Sequence, residues 1–120
     1  MFPTSRLGCD EQRSVNSRNV DDYEANGLPR ALFRRMGELG FLGVTLPMEF
    51  GGADFDVFGT IVFGEELGRS GFGGFMAAVS AHAEIMAPVI RRNGSTEQCR
   101  RFLPGLINGS RIGGLAVTEP

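Results

Sequence analysis

Residues 75–107, FMAAVSAHAEIMAPVIRRNGSTEQCRRFLPGLI, decide the fold class. Phe75, Val79, Ala83, Met86 and Ile90 recur at helical spacing and draw one apolar stripe along a helix over 75–93. Ala77, Ala78, Ala81, Ala83 and Ala87 keep that helix small-sided, as suits a central helix with neighbours on several sides. Pro88 predicts a kink in it, and Gly94 its end. Ser95-Thr96-Glu97-Gln98 then reads as a capping box, in which the serine and glutamine side chains satisfy the free N–H groups of a helix start. Behind it Cys99, Phe102, Leu103, Leu106 and Ile107 are spaced i, i+3, i+4, i+7, i+8, with Pro104 straining the middle. Two amphipathic helices joined by a tight turn predict an all-α helical bundle.

Upstream, Pro29 suits the start of a helix carrying Leu28, Leu32, Met36 and Leu39 on one face, with Gly40 and Gly43 ending it. Residues 44–56, with Pro47 and Gly51-Gly52, predict an irregular loop whose Val44, Leu46 and Phe50 fold back onto the bundle. Asp56 can cap another helix with Val57, Phe58, Ile61, Val62 and Leu67 on its apolar face and Glu65 and Glu66 outside. Residues 1–20 are polar and aperiodic, with one short helix expected around Val20–Asn26. Downstream, Asn108-Gly109-Ser110 is a turn. Leu115–Val117 reads as a strand, begun at Ile112 and running into a polar turn at Thr118-Glu119. One strand is not stable alone, so its sheet must lie outside these 120 residues. The chain divides into a loose arm, 1–27, a helical domain, 28–111, and a terminal strand segment, 112–120, whose sheet is not among these residues.

The totals narrow the function. A chain of 120 residues, 42% of them apolar, is one domain's worth. A net charge of −2 offers no basic field for nucleic acid. No apolar run approaches the roughly 20 residues of a membrane span, and the first residues lack the apolar core of a secretory signal. All twelve basic side chains are arginine, which excludes lysine chemistry. Cys9 and Cys99 form no metal-ligand pattern; two free thiols in a cytoplasmic chain is the preferred reading.

Few side chains invite chemistry. His82 is the lone histidine; Glu84, two residues on, does not share its helical face, and a lone histidine on a packed helix is more often a satisfied polar group. Glu65 and Glu66 are adjacent and splay apart onto a solvated face. Residues 71–75, GFGGF, follow a helix and lack the spacing of a phosphate loop, so they read as a helix–helix turn. Thr118 and Glu119 stand open between an ordinary turn and a loop whose hydroxyl and backbone N–H groups grip a polar ring edge or phosphate.

Taken together, LPRALFRRMGELGFLGVTLPMEFGGADFD, VFGEELGRSG and SAHAEIMAPVIRRNGSTEQCRRFLPGLINGSRIGGLAVTEP, spanning 28–120, resemble the N-terminal domain of the acyl-CoA dehydrogenase family. The SAHAEIMAP wording is similar to the long-chain-like branch. The resemblance implies a helical domain followed by a β-domain and a second helical domain, with FAD between the latter two. It implies α,β-dehydrogenation of a fatty acyl-CoA by a glutamate base and a flavin hydride acceptor. It also implies an electron-transfer flavoprotein as electron acceptor, and a homotetramer. Leu115, Val117 and Thr118 match positions that touch or line the flavin, although the family often has an aromatic residue where Leu115 stands. Met76 and Ser80, one turn apart, match the wall of the acyl chain, with simple packing as the plainer reading. The glutamate base and most of the flavin site are expected beyond Pro120, so these residues include no catalytic base and no metal site. The chain reads as a piece of such an enzyme cut at TEP, inactive alone and not holding FAD stably. A free-standing helical remnant or protein-interaction module is the alternative.

Overall fold

In the computed structural model the residues described are 21–118, apart from Glu24. The expectations for the arm at 1–20 and for Glu119 lie outside them. The short early helix is present at 21–23 and 25–26 and ends at Gly27, whose φ of 77° is left-handed. Its Tyr23 stacks on Phe72 with ring centroids 6.0 Å apart.

Helix α1, Arg30–Glu38, follows Pro29. The Leu28–Leu39 stripe is displaced: Phe33 and Met36 are buried, while Leu39 is exposed. Leu39 falls at the C-cap, where the helix turns away from the core through left-handed Gly40.

The loop at 44–56 folds back as expected but is not wholly irregular, since a one-turn 3-10 helix forms within it at Met48–Phe50, after another at Phe41–Gly43 just before it. The Ala53 N–H donates to the Gly43 carbonyl at 2.9 Å and the Phe55 N–H to Val44 at 2.8 Å, which closes the loop on itself. Buried Leu46 anchors it.

Helix α2, Val57–Arg69, starts where the Asp56 carboxylate accepts the Phe58 N–H at 3.0 Å. Such a cap contributes about 1 kcal/mol. Its expected apolar face is corrected. Phe63 and Leu67 are buried, but Val57, Phe58, Ile61 and Val62 are each more than half exposed. A helix apolar on most sides has no period that selects one face, so packing alone decides which side goes in.

Helix α3 runs continuously from Gly73 to Asn93. Pro88 neither ends it nor leaves a gap, because the six residues Ala81–Met86 just before it form π turns. The i→i+5 pattern widens the helix where the proline ring would crowd the preceding turn. By length and composition α3 could cross a membrane, with a mean hydropathy of 1.3. The sequence reading missed this because His82, Glu84 and Pro88 interrupt the apolar run. Val79, His82, Ala83 and Ala87 are buried inside the bundle, while 22% of the apolar window as a whole is buried.

Helix α4, Thr96–Ile107, opens on the predicted capping box: the Gln98 N–H donates to Ser95 Oγ at 3.2 Å, and the Ser95 N–H to Gln98 Oε1 at 2.7 Å. Two apolar clusters hold the bundle. Phe33, Met36, Leu42, Phe63, Leu67, Val79 and Ala83 form one, and Leu46, Ala87, Cys99, Leu103, Leu106 and Ile107 the other. Helix α3 contributes to both, which makes it central, as its alanines implied. The all-helical class holds, and among the described residues there is no strand. Residues 112–118 take no regular structure, for want of a neighbouring strand to pair with.

Candidate functional site at the exit from the bundle

The chain leaves the bundle through residues 108–118. Gly109, with φ of 72°, turns it back along α4, and the Arg111 N–H donates to the Gly105 carbonyl at 2.9 Å. The Arg111 side chain lies over Gly105, donates to the Arg101 carbonyl at 3.2 Å, and places its guanidinium 5.7 Å from the centre of the Phe102 ring. Gly113 then sits against Met86 and Leu106, and its N–H donates to His82 Nδ1 at 3.0 Å.

His82 is the one buried polar side chain among the described residues, with no exposed surface. Its Nε2 lies 2.9 Å from the Leu106 carbonyl, and its ring meets Phe33 edge-on at 5.4 Å. Because Nδ1 accepts from Gly113, the proton must sit on Nε2, where it is donated to Leu106. The neutral ring thus joins α3, α4 and the exit segment. The satisfied-polar-group reading is correct; its partner at Gly113, 31 residues away, was invisible to any local pattern.

Burial lowers the His82 pKa from its ordinary 6.5, more than the Leu106 carbonyl raises it. The unfolded chain therefore binds this proton more readily than the folded one, and stability rises with pH between the folded value and 6.5. Urea unfolding should show full stability above 6.5 and a loss on acidification below it, and His82→Asn should flatten that part of the profile. A wild-type profile as flat as the variant's in that range would show that the ring does not titrate on folding.

Met76 and Ser80 lie half-buried on α3 just before the π segment, with Met76 packed against the first apolar cluster. Leu115, Val117 and Thr118 are exposed, Val117 at 82%. Among the described residues, the backbone N–H groups of 114–118 have no hydrogen-bond partner. The structure does not bring the two groups into contact. It fixes their neighbourhoods together, since His82 is two residues from Ser80 and Gly113 two from Leu115. Residues 115–118 present one open edge, with free backbone N–H groups and the Thr118 hydroxyl, and they enclose nothing.

A cavity of about 480 Å³ opens between the 41–45 turn, the start of α2 and the π segment, lined by Phe41, Val44, Phe63, Glu84, Pro88 and Arg92 among others. A second, of similar size, lies between α3, α4 and the exit, lined by residues including Met86, Ile90, Phe102 and Gly113. None of the five predicted site residues lines either cavity. Glu65 and Glu66 splay to the surface, and Glu66 pairs with Arg69 at 2.8 Å. Among the described residues no cluster of potential metal ligands occurs.

Bundle and exit together define an all-helical domain that hands its chain on from a fixed point. Residues 9–110 match the family described as acyl-CoA dehydrogenase, N-terminal domain. The match starts inside the arm in which the sequence reading found no pattern. A probable acyl-CoA dehydrogenase of Bacillus subtilis is 36% identical over 104 residues, covering 85% of this chain and 17% of that protein. The mitochondrial isovaleryl-CoA dehydrogenase of Bos taurus is 35% identical over 110 residues, covering 92% and 26%. The crystal structure of an acyl-CoA dehydrogenase from Geobacillus kaustophilus superposes with a TM-score of 0.69 at 27% identity, covering 91% of this chain and 31% of that one. This chain belongs to the acyl-CoA dehydrogenase family, whose members are oxidoreductases and which implies FAD. It spans less than a third of the length of each of these three proteins.

Proposed function

We propose that this chain is the N-terminal helical part of an FAD-dependent acyl-CoA dehydrogenase that introduces an α,β double bond into fatty acyl-CoA thioesters. The family match over 9–110 carries the reading. The geometry supports it: the helix expected along the acyl chain is central, and the segment expected at the flavin leaves the bundle with its backbone edge free.

In this reading Met76 and Ser80 form part of the wall beside the acyl chain, one turn apart on a helix held rigid by both apolar clusters. They exclude water and set the direction of the chain. Residues Leu115, Val117 and Thr118 border one edge of the flavin, with Thr118 supplying a hydroxyl and the backbone its N–H groups. When bound, FAD supplies the acceptor for the hydride leaving the β-carbon. A base for the α-proton comes from outside these residues. Electrons pass to an electron-transfer flavoprotein, and the whole enzyme is a homotetramer. Alone, the chain is inactive and does not hold FAD, because one open edge cannot bury a flavin ring.

A chimera tests this. The matched N-terminal segment of the Bacillus subtilis relative is replaced by residues 9–110 of this chain. The chimera is expected to purify with flavin and to reduce a dye when given acyl-CoA. The isolated chain is expected to show neither flavin absorbance nor dye reduction. A folded, flavin-loaded chimera that oxidises no acyl-CoA would refute the substrate-side role, and stoichiometric flavin on the isolated chain would refute its incompleteness.

A further inference from the structure

We propose that His82 is a positioning residue for the flavin-side segment: its Nδ1 fixes the Gly113 amide, and so sets the direction in which residues 114–118 leave the bundle. The proposal rests on the reading that 115–118 border the flavin, and its geometry stands without it.

The exit is fastened at successive points. The Ser110 N–H donates to Asn108 Oδ1 at 2.9 Å, Arg111 is held by the Gly105 and Arg101 carbonyls, and Gly113 is held by His82. Beyond Gly113 no backbone hydrogen bond occurs among the described residues, so His82 supplies the last attachment. The ring that makes it cannot wander. It is wholly buried, its other nitrogen is committed to Leu106 at 2.9 Å, and the edge of Phe33 packs against it. Gly113 itself is fitted to the spot. A Cβ there would stand 3.2 Å from Met86 Cβ and 3.4 Å from Leu106 Cδ2, a tight fit that a methyl would fill.

A histidine suits this post because a neutral imidazole donates from one nitrogen and accepts at the other, along directions fixed by one rigid ring. Asparagine can place an acceptor near the Nδ1 position, and glutamine a donor near Nε2, but neither does both. The groups that meet the ring are Phe33 from α1, the Leu106 carbonyl from α4 and the Gly113 amide. Burial lowers its pKa, and that carbonyl raises it by less.

Amide hydrogen exchange, read by NMR on the 120-residue chain, tests the proposal without flavin or substrate. In the wild type the Gly113 N–H should be protected and the Gly114 N–H not. His82→Gln should bring Gly113 to the exchange rate of Gly114 while leaving Leu103 in α4 protected. His82→Asn should keep Gly113 protected. A role in packing alone would affect Gly113 equally in both variants. If neither variant folds, the wild type is followed through titration of the His82 ring by its own carbon-bound proton shifts. Gly113 should then lose protection as the ring protonates, at a higher pH than Leu103 does, because a protonated Nδ1 no longer accepts. Gly113 exchanging like Gly114 in the wild type, equal protection in the two variants, or protection that survives ring protonation overturns the proposal. Failure here leaves the family-based function untouched, and failure of the chimera leaves this attachment untouched.

Discussion

Gly109→Ala is expected to be among the most destabilising single-methyl additions in this chain. The reason lies where α1 crosses the end of α4. A glycine of α1 and a glycine of the turn after α4 each meet the other element's backbone: a Cβ on Gly37 would collide with the backbone of Asn108, and one on Gly109 with the Phe33 carbonyl. Gly109 also has a φ of 72°, which an L-residue adopts at a cost of about 1–2 kcal/mol. Forcing a methyl into a closed contact adds about 1–3 kcal/mol. Here the opposing atoms are backbone, which cannot rotate away as a side chain would. Gly40 separates the two effects. Its φ is 82°, but no atom lies within 4 Å of where its Cβ would be. Gly40→Ala should therefore show the conformational cost alone, and Gly109→Ala both. Urea denaturation of the two variants beside the wild type measures the difference. Equal losses would mean that the helices can part by the needed distance without penalty.

Leu103→Ala should cost about 2–5 kcal/mol, the usual range for removing a buried leucine's branched end. Leu103 has no exposed surface and sits in the second apolar cluster with Leu46, Ala87, Cys99, Leu106 and Ile107. That cluster ties α4 to α3 and to the 44–56 loop, so the void cannot be filled without moving one of them. Small domains have about 5–15 kcal/mol of total stability, so a loss near the top of the range would leave the chain largely unfolded at room temperature. Leu115→Ala removes the same atoms from a residue that is 47% exposed, and should shift the transition little. The ratio of the two effects, read from urea midpoints at a common slope, checks that the core lies where it is placed. A Leu103→Ala loss as small as that of Leu115→Ala would place it elsewhere.

The exposed apolar side of α2 bears on the same stability. Phe55, Val57, Phe58, Ile61 and Val62 remain more than half open to water there. Their exposure explains why the sequence assigned that face to the interior. Whichever side of α2 is inspected, apolar residues recur, and the pattern identifies a helix without identifying its inner side. On α4 the outcome differs. Arg100, Arg101 and Glu97 mark one side so clearly that Cys99, Leu103, Leu106 and Ile107 are correctly placed within the core, while Phe102, expected with them, is only half-buried beneath the Arg101 and Arg111 guanidinium groups.

Local chemistry was legible wherever its partners are near in sequence. Asp56 and Ser95 satisfy N–H groups two and three residues away, and Gly40 ends its helix through a left-handed φ that glycine adopts freely, whereas Gly94 ends α3 in extended backbone. The family resemblance carried further than any of these, since it draws on the order and spacing of several such segments at once. The candidate site was legible only through that resemblance. Met76 and Ser80 have no distinguishing local pattern, and Leu115–Thr118 take no structure of their own in this chain.

By itself, then, the sequence determined an all-helical domain with a central alanine-rich helix, a capped α4 and a glycine-marked loop, because helix period and capping depend on residues within a turn or two. Only the tertiary structure decided which side of α1 and α2 faces inward, that π turns accommodate Pro88, that Gly37 and Gly109 let two backbones touch, and that His82 reaches Gly113. Each of these depends on atoms brought together from distant parts of the chain, where packing and the need to satisfy a buried polar ring outweigh local preference.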